Sequence, residues 1–224
     1  MVKQFRVDCH LLTSDSCFRI SFWFCGKAIA KLLLFDCWGC CLLEGKTVNL
    51  RIAEKEDVPF LADWWSNPDF AEYFSPTQVT RAGMEKFLES TALETKHFII
   101  EKKDGSKIGW IMHFNSLITY LNMLELAYGL VPSERGRGYS TEAAQLMVDY
   151  LFLSKDVVRI IATTHTKNVA SQKILEKIGF KREGTMRKCY FCRGEWTDMF
   201  LFSVLREEWK EPRILTKTTS HPQG

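Results

Sequence analysis

Residues 132–144 read Pro132-Ser133-Glu134-Arg135-Gly136-Arg137-Gly138-Tyr139-Ser140-Thr141-Glu142-Ala143-Ala144. Before them, Leu124 to Val131 is an apolar run that reads as a buried strand. After them, Ala143, Ala144, Leu146, Met147, Tyr150 and Leu151 fall on one face of a helix. A Gly-rich turn therefore joins a strand to a helix N-terminus. Such a turn presents unpaired backbone N–H groups at the positive end of the helix dipole, which suits an anion and above all a phosphate. Gly136 and Gly138 let the backbone approach the ligand closely, and Arg135 and Arg137 add positive charge beside it. Taken alone, the turn fits a plain strand–helix connector as well as a ligand site. A dinucleotide fingerprint needs a third glycine at Thr141, and a P-loop needs a lysine after the second glycine; both are missing.

A second segment decides between these readings. Asn168-Val169-Ala170-Ser171-Gln172-Lys173-Ile174-Leu175-Glu176-Lys177-Ile178-Gly179-Phe180 follows a strand-like run at Val157 to Thr164. Asn168 is a favoured helix N-cap. Ile174, Leu175 and Ile178 make an apolar stripe. Gly179 sits where a left-handed C-terminal cap needs glycine, and Phe180 opens the next strand.

Together the two segments resemble the GNAT superfamily of acyl-CoA-dependent N-acetyltransferases. That family's pyrophosphate loop reads Arg/Gln-x-x-Gly-x-Gly/Ala, with Ser133 in the first place here. Its later segment reads N-x-x-S/A-x-x-x-(Y/L)-E-K-x-G-F. The resemblance covers roughly Leu43 to Leu215 and is nearest from Glu125 onward. Within the superfamily, three stretches look like the ribosomal-protein-alanine N-terminal acetyltransferase group: Leu43 to Arg51, Gly136 to Ala143, and Gly194 to Asp198 followed by Leu205 to Trp209.

The resemblance implies acetyl-CoA as acyl donor, with no metal, and direct attack by a primary amine in a ternary complex. It assigns the pyrophosphate to Arg135, Gly136, Arg137, Gly138, Tyr139 and Ser140. Exposed backbone near Leu130 and Val131 is assigned to the thioester carbonyl and the pantetheine arm, which Asn168 also meets. The family's frequent thiolate-protonating tyrosine is replaced by Leu175, so the role passes to Ser171, whose alternative reading is a helix-start residue bonded to Asn168. The most natural acceptor is a protein N-terminal amine. The alternatives are a small amine (polyamine, amino sugar or aminoglycoside) and a non-catalytic acyl-CoA-binding module.

For the general base, alternation puts Glu125, Ala127 and Gly129 on one face of their strand and Leu126, Tyr128 and Leu130 on the other. A carboxylate on an apolar strand needs a reason, and Glu125 is assigned the base; its alternative is a strand-end charge reaching solvent. His113 is the fallback. Trp64, Trp65, Phe70 and Tyr73 follow the first helix, where the family builds part of its acceptor pocket, though aromatics there also serve as core.

Composition narrows the classes. A chain of 224 residues, 46% hydrophobic, builds a full core. A net charge of +3, without Lys/Arg runs interleaved with aromatics, argues against a nucleic-acid binder. Residues 1–42 hold six of the eight cysteines and apolar clusters at Ile20 to Cys25 and Leu32 to Phe35. Lys27, Lys31 and Asp36 interrupt them, so a span of about 20 apolar residues does not form, and no secretory cleavage pattern stands out. This segment reads as a Cys-rich extension or an upstream start, with a membrane-surface hairpin as the alternative. Cysteine usage suggests a reducing, cytoplasmic setting. Two C-x-x-C spacings, Cys37/Cys40 and Cys189/Cys192, could make a zinc site, but the second pair lies along a strand, where such spacing points side chains to opposite faces.

The reading is a mixed α/β GNAT fold: a mostly antiparallel sheet of six to seven strands with helices on both faces. It places the N-acetyltransferase domain at 43–211 and a flexible tail at 212–224, and a homodimer is compatible with it. Strands are predicted at 48–53, 97–102, 107–115, 122–130, 158–163, 181–191 and 195–205, and helices at 56–65, 80–91, from 138, and from 168.

Overall fold

The computed structural model describes residues 3–8, 19–24, 42–68, 72–73, 79–90, 96–115, 123–210 and 212–213. Strands β1 (Lys3–Asp8) and β2 (Arg19–Phe24) pair antiparallel as a separate two-stranded sheet. The main sheet has eight strands: β3 (Leu42–Glu44), β4 (Val48–Ile52), β5 (Lys96–Lys102), β6 (Lys107–Asn115), β7 (Met123–Leu130), β8 (Arg159–His165), β9 (Lys181–Cys192) and β10 (Glu195–Leu205). Their order is β3-β4-β5-β6-β7-β8-β10-β9. Every pair is antiparallel except β7 and β8. The sheet exceeds the predicted count through β3, a three-residue strand too short to show a period of its own. It is held from a distance: Glu142 accepts from Thr47 N (2.8 Å) and Thr47 Oγ1 (2.6 Å) at the β3–β4 turn.

Helices α1 (Val58–Ser66) and α2 (Arg81–Ser90) lie on one face, and α3 (Tyr139–Ser154) and α4 (Val169–Lys177) on the other. The α3 side holds the larger core, with Leu50, Phe98, Ile100, Leu126, Leu146, Met147, Leu151, Ile160 and Phe202 fully enclosed. The α1 side holds Val58, Leu61, Trp64, Met84, Ile99 and Trp110. α3 is apolar around most of its girth because β-strands cover one side and the C-terminal segment the other. Its buried Asp149 accepts from Gln145 Nε2 (3.0 Å), Trp209 Nε1 (2.9 Å) and the Arg213 amide (2.9 Å), so contact with the domain continues to Arg213.

Local chemistry sets the ends. Arg206 donates to the carbonyls of Phe152 (2.9 Å) and Lys155 (2.5 Å), which the end of α3 orphans, and to that of Val157 just beyond (2.7 Å). α4 ends as predicted: Gly179 takes φ +102°, its N–H donates to Glu176 O, and Phe180 N–H reaches back to Leu175 O. That double bond is the Schellman closure, and Leu175 and Phe180 meet in the core. The Asp104-Gly105 and Arg193-Gly194 turns close the β5–β6 and β9–β10 hairpins with positive φ at Gly105, Arg193 and Gly194.

Candidate active site

The site is built where β7 and β8 part. Their parallel ladder runs Met123↔Arg159, Leu124↔Ile160 and Glu125↔Ile161, and then stops while both strands continue. On the other side β7 stays paired with β6 through Gly109↔Leu130. The Val131 N–H donates to Ile108 O at 2.9 Å. By alternation, the amides of Tyr128 and Leu130 point away from β6, into the opening wedge. Of the two backbone amides assigned from the sequence, Leu130 thus faces the wedge and Val131 is spent inside the sheet.

The Gly-rich turn sits at the mouth of this wedge. Gly136 (φ +77°) and Gly138 (φ +86°) both adopt the left-handed region, and a Cβ on either would meet nothing within 4 Å. The space beside both glycines is thus open, and their backbone is uncovered. Gly138 is the N-cap of α3, and the first intrahelical bond is Glu142 N–H to Gly138 O. The amides of Tyr139, Ser140 and Thr141 precede that bond at the positive end of a 16-residue helix. Thr141, not selected from the sequence, shares this position. Both arginines are paired: Arg135 Nε donates to Leu130 O (3.3 Å) and its Nη1 lies 3.9 Å from Glu72, while Arg137 Nη1 lies 3.4 Å from Glu134. A diphosphate fits this donor set through backbone amides first, with the guanidiniums beside them.

Across the wedge stands the N-terminus of α4. Asn168 caps it, its side chain accepting from Ser171 N at 3.1 Å. The two readings of Ser171 separate by atom. Its amide belongs to the cap, whereas its hydroxyl Oγ lies 3.1 Å from Tyr128 Oη. Burial pushes the Tyr128 phenol up to about 12, against the opposing pull of Ser171, so it stays neutral. Leu175 is sunk in the core.

On the opposite face of β7, Glu125 is buried, and Thr163 Oγ1 of β8 donates to its Oε1 at 2.8 Å. His165 lies two residues beyond Thr163 on the same face. It accepts from Lys167 N–H at Nδ1 (3.0 Å), its pKa is lowered by burial and by Lys167, and its ring is 5.4 Å from Tyr73. Burial also raises the Tyr73 phenol, reinforced by Glu72. Trp64 is core, laid against Gly129, while half-buried Trp65 stacks on Trp110 at 5.0 Å and 23°. Phe70 lies outside the described residues. His113 is enclosed on the α3 side against Phe98 and Tyr150, which removes it from the Glu125 face.

Cys189 is exposed, in the irregular stretch of β9 beside Lys188 (φ +49°), and Cys192 is buried; Cys37 and Cys40 lie outside the described residues. Among the described residues no group of three or more His, Cys, Asp or Glu is placed to hold a metal ion, and no helix is long and apolar enough to cross a membrane.

Comparison with known proteins agrees with this geometry. The family described as "Acetyltransferase (GNAT) domain" matches residues 47–181, more than half of the chain. A probable N-acetyltransferase, YjcK of Bacillus subtilis (strain 168), is 32% identical over 178 residues, covering 75% of this chain and 98% of its own. The uncharacterized N-acetyltransferase p20 of Bacillus licheniformis is 29% identical over 173 residues, covering 75% and 97%. Two solved structures share the fold. Spermidine N-acetyltransferase from Vibrio cholerae in complex with CoA and spermine has a TM-score of 0.67 at 20% identity, covering 73% of this chain and 98% of that one. Ribosomal-protein-S5-alanine acetyltransferase from Vibrio fischeri has a TM-score of 0.65 at 22% identity, covering 75% and 98%. A splayed parallel strand pair, a Gly-rich turn on a helix N-terminus and this match together mean that the chain belongs to the GNAT family, as an N-acetyltransferase that uses acetyl-CoA as its acyl donor.

Proposed function

We propose that this enzyme acetylates the α-amino group of a protein N-terminus. In this reading the amides at the start of α3 bind the donor's diphosphate, and the Leu130 amide orients the thioester carbonyl. Glu125 takes the proton of the attacking amine, and Ser171 meets the departing sulfur. The observation that carries it is the arrangement about β7: a buried carboxylate on one face and a half-buried hydroxyl pair on the other, where the strand leaves β8. Among the described residues the other buried carboxylates serve the fold elsewhere, Asp57 with Arg51 and Lys107, and Asp149 with α3 and the C-terminal segment. One buried carboxylate suits a single ammonium group, losing its proton as it enters a low-dielectric site. The serine in place of a tyrosine, and the likeness to the ribosomal-protein group, support a peptide acceptor.

A second reading, a polyamine acceptor, is favoured by similar proteins: spermidine N(1)-acetyltransferase of Escherichia coli (strain K12) is 23% identical over 171 residues, and the Vibrio cholerae structure named above is a spermidine N-acetyltransferase. The test is CoA release from acetyl-CoA with peptides beginning Ala, Ser or Met, set against spermidine and spermine. Turnover on peptides alone is the expected result; turnover on the polyamines alone would move the function to small amines.

A further inference from the structure

The geometry points to Tyr128 as a positioning residue for the reaction, holding the Ser171 hydroxyl so that its own proton is turned toward the leaving sulfur. This rests on the reading of Ser171 given above. Tyr128 is on β7 and Ser171 on α4, and their oxygens approach to 3.1 Å. Either oxygen could donate, and acidity decides the direction. A phenol is a far stronger acid than an aliphatic alcohol, so the favoured arrangement has Tyr128 O–H donating and Ser171 Oγ accepting. The serine amide is committed to Asn168 and its Cα is fixed in the first turn of α4. With one lone pair engaged by Tyr128, the Ser171 O–H is left to turn elsewhere, and the wedge between β7 and β8 is beside it.

The amine nitrogen forms a bond to the thioester carbon, and its proton passes to Glu125. The C–S bond breaks, and its electron pair leaves on sulfur. Ser171 O–H hydrogen-bonds that thiolate, which takes a proton from solvent on release. Tyr128 does not hand over its own proton. A phenol held near 12 is a weaker acid than an ordinary thiol, near 8.5, so a full relay from Tyr128 to sulfur would run uphill. The phenol acts by direction alone, and its burial keeps it a permanent donor.

The test is a double-mutant cycle in the full chain, read by steady-state kinetics and thermal unfolding. Ser171→Ala should lower kcat by about a hundredfold, the upper size of one hydrogen bond to a charged atom. Tyr128→Phe should lower kcat by about tenfold, the size of one neutral hydrogen bond, with KM for acetyl-CoA unchanged. The double variant should be no slower than Ser171→Ala alone. Additive losses would overturn the proposal, since Tyr128 would then act independently of Ser171, and so would a Tyr128→Phe enzyme as fast as the parent while Ser171→Ala is slow. If Ser171→Ala itself is fully active, the reading of Ser171 fails first. A merely structural tyrosine would lower the unfolding temperature in proportion to kcat and would not cancel in the cycle.

Discussion

Thr163 Oγ1 donates to Glu125 Oε1 at 2.8 Å, reaching back from two residues beyond Ile161 to the last residue of β7 that is still in the ladder with β8. The last ladder residue thus also carries the cross-strand side-chain bond, and the carboxylate is pinned at the opening of the wedge. Glu125→Gln keeps the shape but loses the base, and should lower kcat by about 10²–10⁴ with donor binding intact. Pre-steady-state acetyl transfer, alongside titration calorimetry with acetyl-CoA, checks both halves of that statement.

The Gly-rich turn allows strain and obstruction to be separated. Gly138 (φ +86°) and Gly105 (φ +83°) share a positive φ, and a Cβ at either meets nothing within 4 Å. Alanine at each should cost a similar amount of stability, about 1–2 kcal/mol from the left-handed conformation. Gly105→Ala, at the β5–β6 hairpin, should bind acetyl-CoA normally; Gly138→Ala should bind it much more weakly, because the methyl group takes up open space beside the amides that begin α3. Equal affinities in calorimetry would take the turn out of the donor site.

Gly129 meets a different constraint. A Cβ there would lie 2.3 Å from Trp64 Cζ2 and 3.1 Å from Trp110 Nε1. Both rings are enclosed, so neither has room to yield. Gly129→Ala should destabilise the fold by about 1–3 kcal/mol through overpacking, which a urea transition will report. The same substitution at Gly184, with open space around it, should be far milder.

Asp57 anchors the start of α1. It accepts from Arg51 Nη1 (2.7 Å) and Nη2 (3.0 Å) and from the Glu54 amide (2.8 Å), and it pairs with Lys107 at 2.6 Å. Burial by itself would raise this carboxyl, but the bonds from Arg51, the Glu54 amide and Lys107 outweigh it and bring it down to about 2 from 3.8. Arg51 in turn is held above its ordinary value. A depressed carboxyl stabilises the fold above its unfolded value and loses that contribution as pH falls through the folded one. The ionised group should therefore contribute about 2 kcal/mol at neutral pH, vanishing between pH 4 and pH 2. Urea unfolding of the parent and Asp57→Asn across that range should show the two converging at the acid end.

Much of the architecture was legible because local chemistry carried it. Asn168 and Gly179 cap α4 as their residue types require, the two hairpin turns fall on Asp104-Gly105 and Arg193-Gly194, and the sides of β7 follow from alternation alone. Three features were not legible. β3 is too short to show a period and depends on Glu142, nearly a hundred residues away. The commitment of Val131 to Ile108, which leaves Leu130 to face the wedge, depends on the register of β7 against β6, and alternation within one strand leaves that register open. His113 reads as a plausible base until the sheet places it on the α3 side.

What the chain determined by itself is the order of elements, their ends and the open turn before α3, since capping, glycine conformation and strand period act between near neighbours. What tertiary structure alone decided is which groups share the site. Tyr128 reaches Ser171, and Thr163 reaches Glu125, because β7 and β8 hold register for three pairs and then diverge. That divergence is a property of two strands and the helices packed across them, and no single segment encodes it.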